Sequence, residues 1–132
     1  MIGSWSPLSV AIAAVLVALA SGVTALFALI TPKIMRKLSL PLFAVAGACA
    51  LVGGLGVLSG ESAPATVELP FGLPWLPWRV RLDALSAFFL CIIGLVSVAV
   101  GIYGTAYVRG FERGQDSPAV LGCFTGLFLA GM

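Results

Sequence analysis

Three long runs without a charged residue constrain this chain most: Leu8–Ile30, Leu40–Ser59 and Ala84–Val108. About 20 consecutive apolar residues suffice for a helix to cross a hydrocarbon core about 30 Å thick. Each run therefore reads as a transmembrane helix. Composition points the same way, with 61% hydrophobic and 9% charged residues. Soluble domains carry roughly 45–50% apolar and about 25% charged residues. So little polar surface cannot solvate a globule, and the solvent must be lipid. The class this defines is an all-α membrane protein.

A fourth apolar run opens at Pro118 and reaches Met132. At ~1.5 Å per residue it extends about 22 Å, short of a full span. Bare helix carbonyls in hydrocarbon cost several kcal/mol each, so the run reads as cut off. The expected organisation is one bundle over residues 1–132, the N-terminal fragment of a longer subunit, with helices at about 8–30, 40–59, 84–108 and 118–132. A cleaved signal peptide is the alternative for the first run. It needs a basic start and an apolar core of about 7–15 residues. No Lys or Arg precedes Lys33, so the first helix is retained.

The loops set the orientation. Lys33, Arg36 and Lys37 follow the first run, and Arg109 and Arg113 follow the third. Both groups fall on one side, which the positive-inside rule makes cytoplasmic. The N-terminus and the loop 60–83 are then outside a bacterial inner membrane. That loop contains Pro70, Gly72, Pro74 and Pro77, which forbid a helix through its middle. Thr66–Leu69 and Trp78–Asp83 alternate, with Trp78, Val80 and Leu82 on one face and Arg79, Arg81 and Asp83 on the other. Two short strands around a Pro/Gly tip predict an irregular, β-hairpin-like loop on the membrane surface. Trp75 and Trp78 suit the headgroup level, and Tyr103 and Tyr107 suit the cytoplasmic interface, as aromatic anchors do.

Small residues recur at every fourth position in each span. Ala14, Ala18 and Gly22 form one stripe, Ala46, Ala50 and Gly54 a second, with Gly56 and Gly60 following. Ser97, Gly101 and Thr105 form a third. Such stripes let helix backbones approach closely, which predicts a packed bundle.

Chemistry is scarce. An ionisable group inside a span is a transport-site hypothesis by default, and the runs contain none. A small drug/proton exchanger needs an acidic residue in a span and finds none, so it ranks last among the readings. Cys49, Cys91 and Cys123 lie in apolar stretches without a CxxC pattern, and histidine is absent, so no metal or cluster site is expected. Basic residues do not gather on a face, which excludes nucleic acid. No catalytic or cofactor-binding residues are expected in this chain. Glu61, Glu68, Glu112, Arg109 and Arg113 read as solvated loop charges. Asp83 has two readings at the mouth of the third helix. It can cap the amide of Ser86, the favoured role, or pair with Arg81 on the same strand face.

Three segments, "LDALSAFF" from Leu82, "IYGTAYVRGFE" from Ile102 and "LGCFTGLFLAGM" from Leu121, resemble a known family. They are similar to the start of the antiporter-like membrane subunit of hydrogenase-4 and formate hydrogenlyase complexes (component B). More loosely, they resemble the pumping subunits of complex I and the large subunit of sodium/proton antiporters. The resemblance runs from Phe71 to Met132. It implies about fourteen helices, two inverted five-helix repeats, and buried Lys and Glu residues that move protons. Those residues have no counterparts here. The implied function is the scaffold portion of a proton-translocating subunit in an oxidoreductase complex, with other membrane subunits and the lipid bilayer as partners. The alternative is a complete small accessory membrane subunit without transport activity.

Overall fold

The computed structural model describes residues 6–27, 30–31, 33, 35–60, 65–73, 75–111 and 119–132. The expected positions of Glu61, Glu112 and Arg113 lie outside the described residues. Within the described residues, four α-helices and a two-stranded sheet follow in order: α1 (Pro7–Leu26), α2 (Leu40–Leu58), β1 (Ala65–Leu73), β2 (Leu76–Leu82), α3 (Ala84–Phe111) and α4 (Ala119–Gly131). Among the described residues, three segments are long and apolar enough to cross a membrane: Pro7–Leu26, Lys37–Leu58 and Ala84–Arg109. The chain is a multi-pass membrane protein. At 13 residues, α4 extends only about 20 Å.

Local chemistry sets the ends. Ser6 caps α1, since its Oγ accepts from the Ser9 amide at 3.2 Å, and Pro7 occupies the first turn, where its missing N–H costs nothing. The helix stops at Leu26, earlier than the uncharged run, with Phe27 as its C-cap. Gly60 ends α2 at φ +77°, the left-handed position that favours glycine. Ahead of α2, Met35–Ser39 forms a π-helical turn where the sequence suggested plain loop. Pro41 has no N–H for the carbonyl four residues back, and its ring would collide with that carbonyl, so a wider turn upstream is the natural accommodation. α3 runs to Phe111, three residues past the uncharged run, because Arg109 favours the negative end of the dipole.

The two strands pair antiparallel, from Ala65 against Leu82 to Leu73 against Leu76, with an irregularity between Leu69 and Gly72. They are longer than the alternation alone indicated. The Pro/Gly tip joins the ladder because the irregularity absorbs Pro70.

Packing follows the order α4–α1–α2–α3. Lipid offers no hydrophobic gain for joining helices, so close backbone approach must supply the attraction. At the α1–α4 crossing, a Cβ on Gly126 would lie 2.5 Å from the Gly22 nitrogen. At the α2–α3 crossing, a Cβ on Gly94 would lie 2.7 Å from the Gly47 oxygen, and one on Gly101 2.7 Å from the Ala44 Cβ. The expected stripes are present, but α2 carries two. Gly53 faces Pro7 and Ala11 of α1, whereas Gly47 and Gly54 face Ser97, Ala87 and Cys91 of α3. Ala46, Ala50 and Gly54 of the expected stripe are all buried. The cysteines are free and half-buried, not fully buried as small core residues would be.

One buried polar pair ties α1 to the start of α2. The Ser21 hydroxyl donates to the Ser39 carbonyl at 3.0 Å, and the Ser39 hydroxyl donates to the Ser21 carbonyl at 2.8 Å. Removing both hydroxyls (Ser21→Ala with Ser39→Ala) should lower stability by about 0.6 kcal/mol per bond and at most about 1.7. Thermal unfolding in detergent measures this. Gly126→Val should cost more, about 1–3 kcal/mol, because the clash is with backbone. Gly131→Ala, with open space around it, should be neutral in the same assay.

Candidate functional site

The junction between the hairpin and α3 is the most polar part of the described chain. Alternation gives the hairpin two faces. Thr66, Glu68, Arg79 and Arg81 occupy positions on one, and Val67, Trp78 and Val80 on the other. Glu68 and Arg79 pair across the strands at 2.7 Å. Glu68 is therefore a cross-strand partner and not simply a solvated loop charge. Both side chains stay more than half exposed, so the pair is worth about 0–1 kcal/mol. The signal in the sequence was the opposite charges on like-facing positions. The register needed to match them comes only from the folded hairpin.

Asp83 stands between β2 and α3. The Ser86 amide donates to Asp83 Oδ1 at 2.8 Å, and the Ala87 amide donates to the Asp83 carbonyl at 2.9 Å. The hydrogen bonds from Ser86, backbone first and then side chain, hold the Asp83 carboxyl below its ordinary value, and the nearby Arg81 charge adds to this. Arg81 is exposed, as are Trp75 and Trp78 on the hairpin. On α3, Tyr103 and Tyr107 stack with ring centroids 6.1 Å apart.

Between α3 and α4 lies a feature that residue types alone did not reveal. A cleft of ≈ 400 Å³ is lined by α1, α2, α3 and α4, including Ser21, Ser39, Tyr103 and Tyr107. A second, of ≈ 340 Å³, adjoins it and is lined by Ile92, Phe128 and Met132 among others. Both share Phe43, Val100 and Thr125. Neither is lined by an ionisable Asp, Glu, Lys, Arg or His. Among the described residues, no three His, Cys, Asp or Glu side chains converge as a metal site would require.

Among the described residues, three membrane-crossing helices, a hairpin and a capped third helix define a multi-pass membrane protein. The family described as NADH-ubiquinone oxidoreductase (complex I), chain 5 N-terminus, matches residues 69–116. That stretch covers most of the hairpin, the Asp83 cap and α3, and ends before α4. Hydrogenase-4 component B of Escherichia coli (strain K12) is 31% identical over 96 residues, covering 67% of this chain and 14% of that protein. The similarity thus extends over more of the chain than the part from Phe71 onward. This chain spans only about a seventh of that relative's length. No solved structure matches it significantly.

The junction carries a pH prediction. A carboxyl held below its ordinary value of 3.8 stabilises the fold fully above that value. The contribution is lost as pH falls through the lower, folded value. Amide exchange at Ser86, corrected for intrinsic rate, should accelerate below about pH 4. Asp83→Ala should give the same acceleration at neutral pH, and Arg79→Ala should leave it unchanged.

Proposed function

We propose that this chain is the N-terminal scaffold portion of a proton-translocating, antiporter-like subunit in a membrane-bound hydrogenase or complex I-like oxidoreductase. The observation that carries this reading is the match over residues 69–116 to the N-terminal part of a complex I chain. The likeness to hydrogenase-4 component B supports the hydrogenase branch. The uncharged spans support the division of labour. With no Asp, Glu, Lys, Arg or His between Pro7 and Leu26, between Leu38 and Leu58, or between Ala84 and Val108, these helices offer no site that binds and releases a proton. They would hold shape, while proton-carrying Lys and Glu residues and redox cofactors reside in other parts of the assembly.

In this reading the chain itself binds no cofactor and catalyses no reaction. Its partners are the other membrane subunits and the bilayer. It sits in a bacterial inner membrane with its N-terminus and hairpin outside. The basic loops, Lys33–Lys37 and Arg109–Arg113, support that orientation. Trp75 and Trp78 would anchor the hairpin at the outer headgroups, and Asp83 would fix where α3 enters the membrane.

Two measurements test the proposal. The intact mass of the native subunit, taken from the membranes that make it, should be several-fold above 13.5 kDa. A mass near that value would support an accessory subunit instead. Reconstituted alone in vesicles, the 132-residue chain should insert yet show no response to a pH gradient. Robust proton-coupled transport would overturn the scaffold role.

A further inference from the structure

We infer that the trough between α3 and α4 binds one acyl chain of an anionic phospholipid, whose headgroup sits at the basic end of the bundle. The argument starts from the lining. The two clefts lie side by side, with Phe43, Val100 and Thr125 lining both, and their walls are mostly aliphatic and aromatic. Along α3 the trough extends from Tyr107 to Ile92, about 22 Å at ~1.5 Å per residue. One leaflet is about 15 Å deep, half of a ~30 Å core. The trough therefore accommodates a chain that enters from one surface and reaches past the midplane.

Water is a poor occupant, because it needs two to four polar partners. The few hydroxyls in the walls are partly spoken for. Ser21 and Ser39 bond each other's carbonyls, and the Thr125 hydroxyl donates to the Leu121 carbonyl at 2.7 Å. An empty trough would forfeit dispersion contacts along its whole length. At ≈ 400 Å³ for its larger part, it falls within the range of ligand pockets, about 300–1,000 Å³.

Charge selects the headgroup. The trough's end at Ser39 and Val108 is flanked in sequence by Lys37 and Arg109, both exposed. On that side Lys33, Lys37 and Arg109 are exposed among the described residues. A basic rim at the membrane surface favours anionic lipid, by about 1 kcal/mol per cation. The opposite end, around Ile92 and Met132, carries no charged lining residue. The inference holds whether or not the chain serves a proton pump.

The test is native mass spectrometry of the native chain in nanodiscs of equimolar phosphatidylglycerol and phosphatidylcholine. The chain should leave the disc with one phospholipid, phosphatidylglycerol favoured several-fold. Lys37→Gln with Arg109→Gln should bring the ratio near one while lipid is retained. Ala99→Trp, which fills the trough from an exposed position, should lower retained lipid several-fold. A benzophenone side chain at position 99 should crosslink to lipid, a readout independent of how well the tryptophan variant folds. Equal retention of the two lipids by the unaltered chain would overturn the inference. So would a crosslink to protein at position 99, which would mean that a helix of the assembly fills the trough.

Discussion

The close approach of helix backbones at Gly22–Gly126 and Gly47–Gly94 is the constraint on which the remaining architecture depends. In lipid, bringing two apolar helices together releases no ordered water, so attraction must come from contact distance. Leu16, Val23, Val52, Leu95 and Ile102 stay exposed, while Ala14, Ala18, Ala46 and Ala50 are buried. Such a molecule is inverted relative to a soluble one, with small residues inside and large ones outside. The inversion fixes the helix order. α2 carries small residues on two faces and holds both α1 and α3, while α1 uses Gly22 to hold α4.

That order leaves α3 and α4 without a close mutual interface, and the trough is the consequence. Its walls come from four helices, so no single segment defines it. The Ser21–Ser39 pair stiffens the same region by joining α1 to the π-helical turn before α2. In hydrocarbon each of those hydroxyls needs a partner, and each finds the carbonyl of the other residue. The polar pair therefore sets register between two helices whose apolar surfaces could slide.

At the opposite end the hairpin and α3 meet through Asp83. A two-stranded hairpin is marginal by itself in water. Its Glu68–Arg79 pair is exposed and weak, so the apolar face must find cover at the headgroups or on another chain. The similarity to the complex I chain 5 N-terminus spans most of this hairpin, the cap and the helix that follows. The likeness thus follows a structural unit.

What the sequence determined was anything governed by local chemistry. Uncharged run length gave the three spans, proline and glycine placed the hairpin tip, and Ser, Asp and Gly sit at element ends. The family likeness was legible for the same reason, in contiguous motifs such as Leu82–Phe89 and Ile102–Glu112. Only the tertiary structure decided which glycine of α2 faces which neighbour, because Gly53 and Gly54 differ by one position and point to different helices. It alone matched Glu68 to Arg79, since strand register depends on a tip whose irregularity alternation cannot count. It alone opened the trough, because a void exists only between surfaces, and its residues stand as far apart in the chain as Ser21 and Thr125.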